Sequence, residues 1–257
     1  MNHKIGLKLF STNTEALPVA KKLFSSGAFD YLELMALPGT QKWLKYWLTL
    51  GVPCVIHAPH SSHGFNLADP AKRQFNKRQF LETREYADSL RSERIIIHPG
   101  IMGETKETIR QILGLHEKRL FIENKPFMTL HETQCVGSSP AEIGQIIKET
   151  GVGFCLDVVH AVKAGYSRGI DYLSYIKQFL KLKPKIVHLC DSTVKGGFDQ
   201  HLGLGAGELD MRLILSLCLR SSSGIYFTLE VPERSYRTLS DFRINRELLT
   251  DLLEARK

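Results

Sequence analysis

The chain has 257 residues, which is enough for one large hydrophobic core and matches the usual size of an eight-stranded α/β barrel. Its 43% hydrophobic and 24% charged residues are typical of a soluble globular protein, and no run of about 20 apolar residues indicates a membrane span. The net charge of +7 favours a polyanionic partner such as nucleic acid.

The N-terminus and the cysteines indicate the cellular compartment. The first residues, MNHKIGLKLFSTNTEAL, contain no apolar stretch followed by a small-residue cleavage site, so we expect a cytoplasmic protein. The five cysteines are odd in number and widely spaced, with no C-x-x-C pair. This pattern argues against a disulfide framework and against a thiolate zinc site.

Eight short apolar runs rich in Val, Ile, Leu and Phe recur along the chain, each followed by a stretch of helical character. In chain order they are KIGLKLF (4–10), DYLELMA (30–36), PCVIHAP (53–59), RIIIHPG (94–100), RLFIENKP (119–126), GFCLDVVHA (153–161), KIVHLCDS (185–192) and IYFTLEVP (225–232). Near-continuous apolar runs that alternate with helices indicate buried parallel strands in repeated βα units. Eight units predict an α/β fold, a (β/α)8 TIM barrel, as a single domain over residues 1–257.

Several helix boundaries are visible in the sequence. Asp69-Pro70 predicts a helix start, because an acceptor side chain precedes a proline whose missing N–H costs nothing there. The segment SPAE (139–142) is typical of a capping box, and Gly151 of the left-handed residue that ends such a helix. A last helix is expected from about Ser240.

Histidine and carboxylate residues lie at or just beyond the predicted ends of six strands. They are His57, His98, Glu123, Asp157, His160, His188 and Glu230, with Asp199 and His201 in the loop after the seventh run. Barrel enzymes build their active sites at the carboxyl ends of the strands. The sequence therefore predicts that nine nitrogen and oxygen ligands converge on one mouth.

Any one of these residues alone would be read as a hydrogen-bonded structural residue, but nine together indicate a metal site. Burying so many titratable groups is costly unless divalent cations offset the carboxylates and occupy the imidazole lone pairs. The absence of cysteine among them favours zinc, manganese or iron. Because one tetrahedral ion needs about four ligands, the set predicts more than one metal.

The order of motifs along the chain resembles that of the endonuclease IV family of xylose isomerase-like TIM barrels. The matching segments are HAPH (57–60), IIIHPG (95–100), IENKP (122–126), LDVVHAVKAGY (156–166), VHLCDS (187–192), DQHLGLGAG (199–207) and LEVPE (229–233). Members of this family are zinc enzymes that incise DNA at apurinic/apyrimidinic sites.

The resemblance implies three zinc ions, with manganese or iron as alternatives at one or more positions. The ligands would be His57, His98 and Glu123 for the first ion, Glu123, Asp157, His188 and Glu230 for the second, and His160, Asp199 and His201 for the third. A metal-bound hydroxide between the first two ions would attack the phosphorus. Glu123 and Glu230 are the catalytic side chains that this resemblance implies. The expected partner is DNA with abasic sites, and we expect a monomer.

The loop after the third run departs from the family. Where relatives carry aromatic and aliphatic residues that wedge into the duplex, this chain has HSSH (60–63) followed by Phe65. Candidate phosphate contacts follow several strands: His60, Lys125, Lys163 and Lys195. Asp191 is expected either to support a ligand histidine or to accept a hydrogen bond from the substrate.

Two other functions are open at this point. A sugar isomerase or epimerase of the same superfamily would hold a single metal on Glu123, Asp157, His188 and Glu230. Such enzymes generally lack counterparts of His98, His160, Asp199 and His201, which favours the nuclease. The third alternative is a DNA-binding or metal-binding protein without catalysis, which an incision assay would separate from the first.

Overall fold

The computed structural model describes residues 3–254; residues 1–2 and 255–257, which the expected domain includes, lie outside the described part. Eight parallel strands form a closed barrel in chain order, and the first pairs with the last. The strands are β1 (Lys4–Phe10), β2 (Tyr31–Met35), β3 (Cys54–His57), β4 (Ile95–Ile97), β5 (Leu120–Glu123), β6 (Gly153–Asp157), β7 (Ile186–Leu189) and β8 (Tyr226–Leu229). The predicted (β/α)8 fold is confirmed.

Helices surround the barrel and cover its outer face. They are α1 (Leu17–Ser25), α2 (Leu44–Leu48), α3 (Arg73–Ser89), α4 (Thr105–Leu115), α5 (Pro140–Thr150), α6 (Val158–Ser167), α7 (Tyr172–Leu180), α8 (Met211–Ser221) and α9 (Ser240–Glu254). The main hydrophobic core lies between these helices and the outward-facing strand residues. Within residues 3–254, no helix is long and apolar enough to cross a membrane.

The helix boundaries follow the local sequence. The Asp69 carboxylate accepts from the backbone N–H of Ala71 at 2.9 Å, and a short 3-10 turn then leads into α3. Ser139 and Glu142 form the expected capping box at the start of α5, and Gly151 ends it with a φ of 73°. These local interactions fix where each helix leaves the strand before it.

Side chains that point into the barrel form stacked layers because residues alternate across each strand. An apolar layer fills the interior: Tyr31, Val55, Ile96, Phe121, Cys155, Ile186 and Tyr226. Gly6 leaves room for this layer, since a Cβ there would lie 2.3 Å from Tyr31 Cζ. Two residues further along, the inward positions carry Glu33, His57, His98, Glu123, Asp157, His188 and Thr228. The period of two therefore places a polar layer directly above the apolar one.

Candidate metal centre

A cavity of about 340 Å³ opens at the carboxyl ends of the strands. Seven of the nine predicted ligands line it: His57, His98, Glu123, His160, Asp199, His201 and Glu230. The other two, Asp157 and His188, are buried behind this lining. The structure thus brings all nine residues to one mouth, as parallel strands with a common direction require.

The first group consists of His57, His98 and Glu123. Glu123 Oε2 lies 3.1 Å from Nε2 of each histidine. All three residues are buried, and their ligand atoms lie within 4.8 Å of one another. Two imidazoles that converge on one carboxylate oxygen are a donor set suited to a divalent cation.

The second group consists of Asp157, His188 and Glu230. His188 Nδ1 lies 2.9 Å from Glu230 Oε2 and 3.9 Å from Asp157 Oδ2. The same nitrogen lies 3.4 Å from Glu123 Oε2. Glu123 therefore faces both the first and the second group, which is the position that a bridging carboxylate needs.

The third group consists of His160, Asp199 and His201. Asp199 Oδ2 lies 3.2 Å from His160 Nε2 and 3.1 Å from His201 Nε2. His160 reaches this position because it belongs to the first turn of α6, where its backbone N–H donates to Asp157 Oδ1 at 2.7 Å. Asp157 therefore belongs to the second group and also caps the helix that carries a member of the third.

In three of the histidines, Nδ1 is hydrogen-bonded to a backbone carbonyl, and in His160 the same nitrogen also lies 3.1 Å from Glu123 Oε1. Nδ1 of His57, His160 and His201 lies 2.8 Å from the carbonyl oxygens of Ala58, Asn124 and Glu230, respectively. A carbonyl can only accept, so each Nδ1 carries a proton and Nε2 is the nitrogen available to bind a cation at the cavity. Metal-binding imidazoles are typically oriented in this way.

Several buried atoms of these groups lack a hydrogen-bond partner within the described part of the chain. They are His98 Nε2, Asp157 Oδ2, His188 Nδ1, Asp199 Oδ1 and Glu230 Oε2. Buried polar atoms are seldom left without a partner, because desolvating them is costly. They are five of the eleven such atoms among the described residues and lie together at one barrel mouth, so the donor set fits divalent cations.

The ionisation of the groups follows from their crowding. Burial raises the pKa of Glu123, but His98 and His188 outweigh it and hold the pKa well below its usual range. Burial lowers the pKa of His160, but the Asp157 and Asp199 carboxylates outweigh it and raise that pKa to about 10. In the protein without metal, the protonated His160 imidazole thus balances part of the carboxylate charge. A divalent cation would replace this proton on binding.

Asn124 joins the ends of two neighbouring strands beneath the site. Its side chain donates to the carbonyl oxygen of Asp157 at 2.9 Å and accepts from the Asp157 N–H at 2.8 Å. It is fully buried and directly follows Glu123. This reciprocal pair fixes β5 against β6, and with them the relative positions of Glu123 and Asp157.

Of the predicted substrate contacts, two line the cavity and one is exposed in a loop beside it. His60 and Lys125 line the cavity, and Lys195 is exposed in the loop after β7. Burial, with the neighbouring Lys125 and His63, lowers the pKa of His60 to about 3, so its imidazole is uncharged at neutral pH.

The predictions for Lys163 and Asp191 need correction. The Lys163 ammonium is turned away from the cavity and donates to the Thr193 carbonyl at 2.8 Å. Asp191 accepts backbone N–H groups of Gly205 at 2.9 Å and Leu209 at 3.2 Å. Burial demands partners for both charges, and the loop backbone after β7 supplies them. These residues therefore shape the loop that carries Asp199 and His201.

Two residues that the sequence did not predict also belong to the site. Lys8 lines the cavity, and Glu33 lies beneath it with no exposed surface. Each is the one charged residue inside the apolar part of its strand, KIGLKLF or DYLELMA. A charge at an inward-facing position of a buried strand was the signal that could have found them.

The loop after β3 offers no apolar wedge. Ser62 is exposed, Ser61 and His63 are half-buried, and Phe65 is buried in the core. Exposed apolar side chains occur in other loops on this face, at Met102, Leu130 and Phe198.

Comparisons with known proteins agree with this architecture. A probable endonuclease 4 from Thermoplasma volcanium is 30% identical over 171 residues, which cover 60% of this chain and 60% of the relative. Another, from Carboxydothermus hydrogenoformans, is 30% identical over 151 residues, or 51% of each chain. The alignments thus span about half to 60% of the length of these curated relatives.

Solved structures share the fold at lower identity. Endonuclease IV from Thermus thermophilus matches with a TM-score of 0.74 and 22% identity, over 96% of this chain and 99% of the other. A D-tagatose 3-epimerase-like protein matches with a TM-score of 0.75 and 21% identity, over 98% and 97%. The model of the family described as xylose isomerase-like TIM barrel matches residues 28–252. The chain belongs to the xylose isomerase-like TIM barrel family.

Proposed function

We propose that this protein is a zinc-dependent phosphodiesterase that incises DNA at apurinic/apyrimidinic sites. The observation that carries the proposal is the third group, His160, Asp199 and His201, which shares the cavity with the other two groups. A single-metal enzyme has no use for it. Three adjoining donor sets suit a cluster of cations.

Clustered zinc ions would lower the pKa of water toward neutrality and stabilise both the attacking and the leaving oxygen of an in-line displacement at phosphorus. The residues of the chain hold this arrangement. Glu123 faces two groups at once, and Asp199 places one oxygen between His160 and His201. In this proposal Glu123 and Glu230 are the carboxylates nearest the reacting phosphate.

Residues at the rim would orient the substrate. The Lys125 ammonium carries a positive charge beside the cavity, and the uncharged His60 imidazole can donate one hydrogen bond to a phosphate oxygen. The net charge of +7 would attract the DNA backbone. The likeness to proteins named probable endonuclease 4 supports DNA as the substrate class.

The second candidate function is a sugar isomerase or epimerase. A closed group of Asp157, His188 and Glu230 beside Glu123 would suffice for a single metal, and a cavity of about 340 Å³ could hold a monosaccharide. The third group argues against this function, because it would add buried charge with no part in the reaction.

The test is incision of a duplex oligonucleotide with one abasic site by the zinc-loaded protein. We expect cleavage that stops on chelation and returns when zinc is added back. Activity on a ketose with none on abasic DNA would overturn the proposal in favour of the isomerase. Zinc binding without turnover of either substrate would indicate the non-catalytic alternative.

A further inference from the structure

A buried ion pair lies directly beside the second group. Lys8 on β1 and Glu33 on β2 are register partners, and both point into the barrel. Lys8 Nζ lies 3.2 Å from Glu33 Oε1, and the two side chains are 8% and 0% exposed. The same ammonium also donates to Glu230 Oε1. One lysine thus joins a buried carboxylate to a predicted metal ligand.

The other oxygen of Glu33 holds a second predicted ligand. Glu33 Oε2 lies 3.0 Å from His188 Nε2 and accepts from Thr228 Oγ1 at 2.7 Å. The Thr228 oxygen is in turn 2.6 Å from the Tyr31 hydroxyl. Glu33 is therefore fixed from three sides, by Lys8, His188 and Thr228.

We propose that the Lys8–Glu33 pair is a positioning device that presents His188 and Glu230 to the second metal ion. Glu33 accepts a hydrogen bond from the Nε2–H of His188, which leaves the Nδ1 lone pair toward the site. Lys8 binds one oxygen of Glu230, which leaves Oε2 for the ion. The inference deepens the proposed metal centre and rests on it.

The ligand atoms that the pair does not contact agree with this arrangement. His188 Nδ1 and Glu230 Oε2 lie 2.9 Å apart, and neither is hydrogen-bonded to any other described residue. Each residue thus has one atom held by the pair and one directed at the ion. Partners of this kind typically change metal affinity 10- to 100-fold when they are removed.

The charges of the pair support positioning over simple charge balance. Lys8 and Glu33 neutralise each other, so together they leave the balance between the four ligand carboxylates and the cations unchanged. Removing one member leaves a buried charge without its partner and lets the ligand side chain move. The two residues should therefore act as a unit, and their effects should not add.

The experiment measures zinc affinity without DNA, by competition with a chromophoric chelator, for wild type, Lys8→Met, Glu33→Gln and the double variant. We expect each single variant to bind one of its ions about 10- to 100-fold more weakly and the others as wild type does. The loss of zinc-binding free energy in the double variant should be smaller than the sum of the losses in the two single variants. Thermal melts in excess chelator show whether each variant folds.

One control separates positioning from general effects on zinc affinity and thermal stability. Lys21→Met removes an exposed lysine on α1 and should change neither quantity.

Unchanged zinc affinity in folded Lys8→Met and Glu33→Gln would overturn the inference. If Lys8→Met lost incision activity at unchanged affinity, Lys8 would instead contact the substrate. A wild-type protein that binds zinc but leaves abasic DNA intact would overturn the proposed function alone. A wild-type protein that binds no zinc would overturn both.

Discussion

At the scale of single residues, His201 separates the proposed functions most sharply. It belongs to the third group, has no part in the single-metal arrangement and lies in a loop outside the core. We predict that His201→Ala lowers the incision rate about a hundredfold or more, or about 3 kcal/mol, because the leaving oxygen loses a stabilising charge. Steady-state kinetics on an abasic oligonucleotide measures the loss.

The matched control is His116→Asn. His116 ends α4 in the left-handed region with a φ of 50°, far from the cavity, and asparagine tolerates this conformation. This variant should keep full activity, and both variants should unfold within a few degrees of wild type. Full incision activity in His201→Ala would remove the residue from the mechanism.

The nine candidate ligands could be predicted because each follows an apolar run, and parallel strands bring such positions together. The residues that hydrogen-bond to these ligands could not be predicted. Lys8 and Glu33 become neighbours only through the β1–β2 register, which the sequence does not show. Asp191 is close in sequence to the site, yet both of its carboxylate oxygens accept hydrogen bonds from backbone amides of the loop. Hydrogen-bond geometry decided its role.

Among the secondary-structure elements, the turn between α4 and β5 is stabilised by ion pairs of Arg119 with Glu117 and Asp88. The Arg119 guanidinium holds the pKa of Glu117 at about 2, below its usual value of 4.5. A lowered carboxyl pKa contributes stability above pH 4.5, and this contribution is lost as pH falls toward 2. We predict that Glu117→Gln lowers the free energy of unfolding by about 1 kcal/mol at neutral pH, a modest figure because solvent screens the pair.

Denaturant unfolding of Glu117→Gln and wild type at several pH values measures this effect. The difference should shrink below pH 4.5 and vanish only below about pH 2, where the carboxyl group is protonated in the folded state as well. A difference that stayed constant over this range would show that packing, not charge, makes the contribution.

The loop after β3 supports a prediction about substrate selection. Unstacking a base step costs a few kcal/mol, and the polar residues His60 and Ser61 supply little apolar contact to offset it. We predict that abasic duplex binds less than about tenfold more tightly than matched intact duplex, or by less than about 1.4 kcal/mol. Titrations with labelled duplexes measure both affinities.

Strong selectivity for the abasic duplex would show that another loop has taken over the role. The exposed apolar residues Met102, Leu130 and Phe198, in the loops after β4, β5 and β7, would then be the first to replace by serine.

At the scale of the whole molecule, the barrel could be predicted almost completely. Its eight runs have the composition of strands buried on both faces, and parallel strands of this kind close in chain order. What the sequence could not give is how the mouth is divided into groups. That division depends on strand register and on α6 starting directly after Asp157, which turns His160 toward Asp199.

The net charge of +7 supports a second prediction at this scale. Lysines and arginines that contact phosphates release counterions, so binding to DNA should weaken about tenfold or more between about 50 and 200 mM salt. Lys125→Met should reduce the slope of log affinity against log salt by about 1, whereas Lys148→Met, on the exposed surface of α5, should not. Binding that is insensitive to salt would contradict a nucleic-acid substrate.

Elemental analysis of protein purified without chelator measures how many metal ions the proposed centre holds. Nine ligand residues in three groups, with Glu123 facing two of them, predict close to three ions per chain, mostly zinc. The same preparation is assayed on abasic DNA, so that metal content and activity refer to one sample. Close to three ions in an active preparation would agree with a three-metal centre, and a single ion in a fully active preparation would contradict it.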